Sequence, residues 1–134
     1  MQRTEWSETF ALGIKTIDDK HKHFLDTMNA LLDAQEATGG QACLAENLVD
    51  RLKAYATEHF HVEEGYMQAF GYPEYETHRA EHDGFLEAVS RFEGACAAGA
   101  ANAAEILDYL QGWMRQHLVG VDRQMGRFLD EYLR

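Results

Sequence analysis

The sequence predicts an all-α fold, an antiparallel up-down-up-down four-helix bundle with an N-terminal arm and a short C-terminal helix. Three observations carry this. Apolar residues recur at three- and four-residue spacing over most of the chain, without β-type alternation. There is one proline, Pro73, and no low-complexity tract. The breaks between periodic segments are short, which makes successive helices antiparallel neighbours. With 134 residues and 46% hydrophobic composition, one core and one domain over 1–134 are expected: an arm to about 15, a bundle over about 16–119 and a terminal helix over about 120–132.

The first helix is expected from Thr16, as N-cap with Asp19 closing a capping box, to about Ala37, where Gly39-Gly40 ends it. The second runs from about Ala42 to Phe70, with Leu44, Leu48, Leu52, Tyr55, His59, Glu63, Tyr66 and Phe70 on one stripe. Gly71-Tyr72-Pro73 breaks it. Pro73 suits the first turn of a third helix, with Glu74 and Glu76 at the positive end of its dipole. That helix carries a stripe of Tyr75, His78, His82, Phe85, Val89 and Phe92. Asn102 is placed to cap a fourth helix with Glu105 as its partner, and Leu107, Leu110, Trp113, Met114, His117 and Leu118 form the apolar face. A short helix follows Gly120.

Twelve Lys and Arg against 23 Asp and Glu give a formal net charge of −11, with no basic run, which argues against nucleic acid or an anionic membrane surface as partner. The start is polar rather than signal-like, and no apolar stretch approaches the roughly 18 residues of a membrane span. A cytoplasmic protein is expected. Cys43 and Cys96 are too few and too far apart for a disulfide scaffold or a thiolate zinc site, and read as reduced small apolar residues. An antiparallel bundle would put both at one end, where a redox pair is a subsidiary reading.

Seven histidines are many for a chain this short. Five of them, His21, His59, His78, His82 and His117, fall on inward stripes and sample all four helices. His23 and His61 each lie two residues from an inward histidine, about 200° around the helix, and should face water. Burying five imidazoles and Glu63 without partners would cost several kcal/mol for the carboxylate alone. A bound metal resolves this. His59 and Glu63 are one turn apart, as are His78 and His82, so each pair projects side by side. Asp122 follows His117 by five residues, about 140° off its face on an unbroken α-helix; a bulge near Gly120 would turn it inward. Five imidazoles with two carboxylates suit a pair of divalent first-row metals, without choosing iron over zinc or manganese.

These residues occur in an order that resembles the hemerythrin family, particularly its bacterial members. The pieces are Trp6 with Gly13-Ile14 before Ile17-Asp18-Asp19-Lys20-His21; His59-Phe60 with Glu63-Glu64 and Met67; Gly71-Tyr72-Pro73; His78 and His82 before Phe85; and Trp113 with His117 and Asp122. The resemblance implies two irons. One is held by His78, His82 and His117 and the other by His21 and His59, with Glu63, Asp122 and an oxo or hydroxo group bridging them. It implies that dioxygen binds end-on, as a hydroperoxide on a diferric centre, at the iron with an open position, and leaves again as O2. Phe24, Phe60, Trp113 and Leu118 would line the O2 pocket by family position, an apolar wall that slows entry of water and anions.

Two departures from the family pattern stand out. Gly120 has no side chain where some relatives carry a bulky apolar group near the ligand, which would widen access to the site. Arg123-Gln124-Met125 replaces a basic-then-tyrosine run and is expected to touch only the packing of the terminal helix.

Two enzymatic readings compete. His78-Arg79-Ala80-Glu81-His82 matches a zinc protease pattern that would make Glu81 a general base, but it leaves His21, His59 and Glu63 unexplained, and Glu81 reads more simply as a solvated helix residue. A ferritin-like di-iron oxidase needs two Glu-x-x-His motifs and two further glutamates; here only Glu58-His59-Phe60-His61 fits, and its His61 points outward. With these set aside, the resemblance implies a carrier and not an enzyme: reversible O2 binding for storage or delivery, in exchange with an O2-consuming enzyme or a reductase. O2 or redox sensing, or scavenging of iron, peroxide or nitric oxide by the same centre, is the alternative.

Overall fold

The histidine-bearing stripes become the inner faces of a helical bundle in a computed structural model of the chain, which describes residues 4–38, 46–99 and 103–133. A 3-10 turn, Glu8–Phe10, precedes α1 (Lys15–Thr38), α2 (Glu46–Phe70), α3 (Tyr75–Ala97) and α4 (Ala103–Gln116). A π-helical turn, His117–Val121, leads without a break into α5 (Asp122–Leu133). The pairing is antiparallel. Between α1 and α2, Lys20 meets Glu58 and His23 meets Tyr55. Between α2 and α3, Lys53 meets Glu93 and His82 meets Glu64. Between α3 and α4, Phe92 meets Tyr109 and Phe85 meets Trp113. In each case the later position on one helix faces the earlier position on the next.

The core has two parts. One is built around Phe24, Met28, Leu52, Phe60, Phe85, Leu110, Met114 and Leu118; the other joins Leu12, Ile14 and Ile17 to Met67, Tyr72, Met125 and Leu129. Along each helix the inward histidines and carboxylates fall where one apolar cluster gives way to the other, so a polar layer is clamped between two dry ones. Such a layer is tolerable only when its members satisfy one another or a ligand.

Local details differ from the sequence expectation. The α1 start is not a Thr16 cap: the helix begins at Lys15, the Asp18 amide donates to the Ile14 carbonyl, and the Asp18 carboxylate accepts from the Leu12 and Gly13 amides at 2.9 and 3.2 Å. Asp19 instead pairs with Lys15. In α2, Tyr55 is 37% exposed, while Ala56 and Met67 are buried, because the inward stripe drifts as 3.6-residue periodicity accumulates. Pro73 sits in a turn closed by the Tyr75 amide on the Tyr72 carbonyl, and α3 begins at Tyr75. Gly71, at φ 70°, adopts the left-handed conformation this reversal needs. The helical backbone runs on through Gly120. The Asn102 cap and Cys43 lie outside the described residues; Cys96 is half-buried and packs against the larger cluster.

The arm is tied down by polar contacts, of which the innermost are buried. The Thr4 amide donates to Asn29 Oδ1 and Asn29 Nδ2 donates back to the Thr4 carbonyl, both at 3.0 Å. Arg115 donates to the Thr4 hydroxyl, and Arg123 donates to the Thr9 carbonyl. Arg123 thus holds the arm as well as belonging to the terminal helix. Among the described residues no helix is long and apolar enough to cross a membrane.

Candidate metal centre

His21 on α1, His59 and Glu63 on α2, His78 and His82 on α3, His117 in the π-turn and Asp122 at the start of α5 are all buried, and the bundle brings the seven together. His23 and His61 are exposed. The π-turn explains Asp122: its amide donates to the His117 carbonyl, an i to i−5 bond. That one wide turn places residues five apart on the same face, which an α-helix does not.

The two carboxylates divide the histidines into two groups. Glu63 Oε2 lies 2.6 Å from His59 Nε2 and 3.1 Å from His21 Nε2, and Asp122 Oδ2 lies 3.1 Å from His21 Nε2. On the other side, Glu63 Oε1 is 3.2 Å from His78 Nε2 and from His82 Nε2, and Asp122 Oδ1 is 3.0 Å from His78 Nε2 and from His117 Nε2. Two clusters result, His78, His82 and His117 with both carboxylates, and His21 and His59 with the same two carboxylates. In each, the donor atoms lie within 4.8 Å of one another.

Glu63 hydrogen-bonds with His21 and His78, but the rest of the layer is not satisfied in this way. Both Asp122 oxygens lie 3.0–3.1 Å from imidazole nitrogens yet accept no directed hydrogen bond. His82 Nε2 and His117 Nε2 face each other at 3.2 Å. Nδ1 of His21, His59 and His78 is also buried without a partner. Buried polar atoms are normally paired, so this pattern fits cations seated between the carboxylates, with imidazole and carboxylate as a donor set suited to first-row divalent metals.

Electrostatics agree. Burial opposes charge on His21 and His117, but Asp122 and Glu63 outweigh it and push these imidazoles up to about 9 and about 10. His78 moves the same way for the same reasons. At His59 burial wins and lowers the value despite Glu63. Burial disfavours the ionised forms of Glu63 and Asp122 as well, yet the imidazoles around them hold both carboxyls well below the usual range. In the metal-free protein, imidazole protons stand in for cations.

Two contributors were not legible as such in the sequence. Glu81 accompanies His117, its Oε1 3.2 Å from His117 Nδ1, so the expectation of a purely solvated helix residue is overturned. Glu64 Oε2 lies 2.8 Å from His82 Nδ1. A carboxylate on the far nitrogen fixes the tautomer and orientation of a metal-binding imidazole. Neither residue stands out on its own helix, because each is recruited by a histidine of another.

Beside His21 and His59 lies a small cavity, about 10 Å³ by the volume open to the centre of a water molecule, near the minimum that holds one such molecule. Phe24, Phe60, Trp113 and Leu118 line it, together with Met114, which was not singled out. Phe60 stacks on His82 at 3.8 Å between ring centroids, and Trp113 stacks on His117 at 4.3 Å. The expected effect of Gly120 is also overturned. This residue is exposed, a Cβ there would meet nothing within 4 Å, and it is not part of the cavity wall; Leu118 occupies the wall instead.

A helical bundle with a buried layer of histidines and two shared carboxylates defines a class of metal-binding bundle proteins. Residues 12–129 match the family model described as the hemerythrin HHE cation binding domain, and the chain belongs to the hemerythrin family. It is 31% identical over 124 residues to the bacteriohemerythrin of Clostridium acetobutylicum, covering 89% of this chain and 95% of that protein. It is 32% identical over 126 residues to the bacteriohemerythrin of Ralstonia nicotianae, covering 93% and 88%. A crystal structure of wild-type hemerythrin superposes with a TM-score of 0.85 at 29% identity, covering 94% of this chain and 97% of that one.

Proposed function

We propose that this chain is a single-domain protein that holds two irons and binds dioxygen reversibly, for storage or delivery, and that it is not an enzyme. His78, His82 and His117 hold one iron, His21 and His59 the other, and Glu63 and Asp122 bridge the two. The irons supply the electrons that make dioxygen binding possible. The protein supplies the donor set, the apolar wall and the exclusion of water.

One observation carries this reading: the two clusters are unequal, and the cavity lies on the poorer one. One has three imidazoles and the other two, with the same carboxylates. The cavity touches both His21 and His59, but of the three-histidine group it touches only His117. The missing donor and the empty space therefore coincide. Phe24, Phe60, Trp113 and Leu118 form an apolar surround that favours a small neutral ligand over anions and water. Exposed Glu58 pairs with Lys20 instead of facing the cluster, so among the described residues the four-carboxylate set of a ferritin-like oxidase is not assembled.

The test is anaerobic purification, a metal count per chain, and visible absorption recorded while dioxygen is admitted and withdrawn. Two irons with a reversible colour change are expected. Irreversible oxidation would favour sensing or scavenging over carriage, and zinc or less than about one metal per chain would overturn the di-iron assignment.

A further inference from the structure

Among the described residues Met114 is the one thioether in the cavity wall. It is 1% exposed and packs within the larger apolar cluster, with the cavity against it. Three other methionines, Met28, Met67 and Met125, are buried to the same degree, and none of them lines that cavity. Of these four buried methionines, Met114 is the one that borders the space beside His21 and His59.

We propose that Met114 is a site of oxidative modification, converted to the sulfoxide by hydrogen peroxide entering the cavity, and that the added oxygen closes the cavity to ligand. The step balances as thioether plus hydrogen peroxide giving sulfoxide plus water. The sulfur lone pair attacks one peroxide oxygen, the O–O bond breaks, sulfur loses two electrons, and the departing oxygen leaves as water after proton transfer. The new S–O bond turns a flexible apolar group into a polar one. A space of about 10 Å³ holds one small molecule at most, so an oxygen placed there leaves no room for a second. The rest of Met114 is enclosed by core side chains, which leaves the cavity as the direction open to that oxygen.

The closing of the cavity rests on the proposed ligand site; the selectivity of oxidation rests only on the cavity. Iron-loaded protein in its oxidised state is treated with a slight excess of hydrogen peroxide, quenched with catalase at intervals and digested for mass spectrometry. The sulfoxide is expected to form on Met114 several-fold faster than on Met28, Met67 or Met125. The treated protein is then reduced, and the rate of its reaction with dioxygen is followed, whether that reaction is reversible binding or irreversible oxidation. A several-fold slower reaction is expected in proportion to Met114 sulfoxide. Met114→Leu, close in volume, is expected to react with dioxygen at the same rate before and after peroxide treatment, whatever that rate is. Oxidation of Met114 no faster than of the other three, or an undiminished rate in the modified protein, would overturn the proposal. Reversibility of O2 binding, read separately by the colour change, decides the carrier function without affecting the mass result.

Discussion

Asp122 and His117 are joined twice. The Asp122 amide donates to the His117 carbonyl five residues back, and its carboxylate oxygen Oδ1 lies 3.0 Å from His117 Nε2. The backbone bond creates the wide turn, and the wide turn delivers the carboxylate to both histidine groups. Asp122→Ala should therefore remove a shared donor from both clusters. Metal retained after gel filtration should fall below one per chain. The metal-free protein should also lose about 3–5 kcal/mol at neutral pH, the cost of breaking a buried ion pair. Metal analysis and urea unfolding of the metal-free protein check the two effects.

Glu81 and Glu64 address only the three-histidine group. Glu81→Gln and Glu64→Gln should each weaken metal retention by about 10- to 100-fold, as is usual for a lost partner of a metal-binding imidazole, while leaving helicity by circular dichroism unchanged. Competition with a coloured chelator measures the difference. If both variants bind as tightly as the parent, these carboxylates do not orient the ligands.

Metal loading should release protons. His21 and His117, raised to about 9 and about 10, carry protons at pH 7 that must leave before the nitrogens bind a cation, and His78 is shifted in the same direction. Affinity should rise with pH through that range. In the metal-free protein the dependence is opposite. A folded-state value above the unfolded one stabilises fully below the unfolded value near 6.5, and that contribution is lost as pH rises through 9 to 10. The depressed Asp122 and Glu63 add stability that is present above about pH 4 and lost as pH falls through their lowered values. Metal-free protein should thus be most stable in mildly acidic solution and weaken towards pH 10. Calorimetric loading in two buffers of different ionisation enthalpy, with thermal melts across pH, tests both directions.

Leu118 and Gly120 should behave differently although two residues apart. Leu118→Ala enlarges the cavity and should cost about 2–5 kcal/mol, with faster reaction with dioxygen. Gly120→Ala adds a methyl group in open space and should leave that rate unchanged, while stabilising by up to about 1 kcal/mol through helix propensity. Stopped-flow mixing and urea unfolding distinguish them.

Asn29 should matter beyond its own helix. It satisfies both the amide and the carbonyl of Thr4, so Asn29→Ala leaves two buried backbone groups without partners, at about 1–3 kcal/mol. Faster proteolysis within the first ten residues, followed by mass spectrometry, should accompany the lower midpoint.

Helical class, the inward histidines and outward His23 and His61 were legible because each depends on angular position around a single helix, and that follows from spacing alone. Asp122 was legible only as a conflict: five residues from His117 is wrong for an α-helix, so a bulge had to exist if the residue faced inward. The capping of α1 by Asp18, the start of α3 at Tyr75, the partnership of Glu81 with His117 and of Glu64 with His82, and the seat of Met114 on the cavity are decided by tertiary structure. Each depends on the register between elements, where a shift of one turn exchanges which side chains meet. Periodicity is a property of the segment; partnership is a property of the packing. The sequence by itself determined which faces are apolar and which polar groups are buried in them. The bundle decided how those groups divide between two metal positions, and on which of the two a space was left.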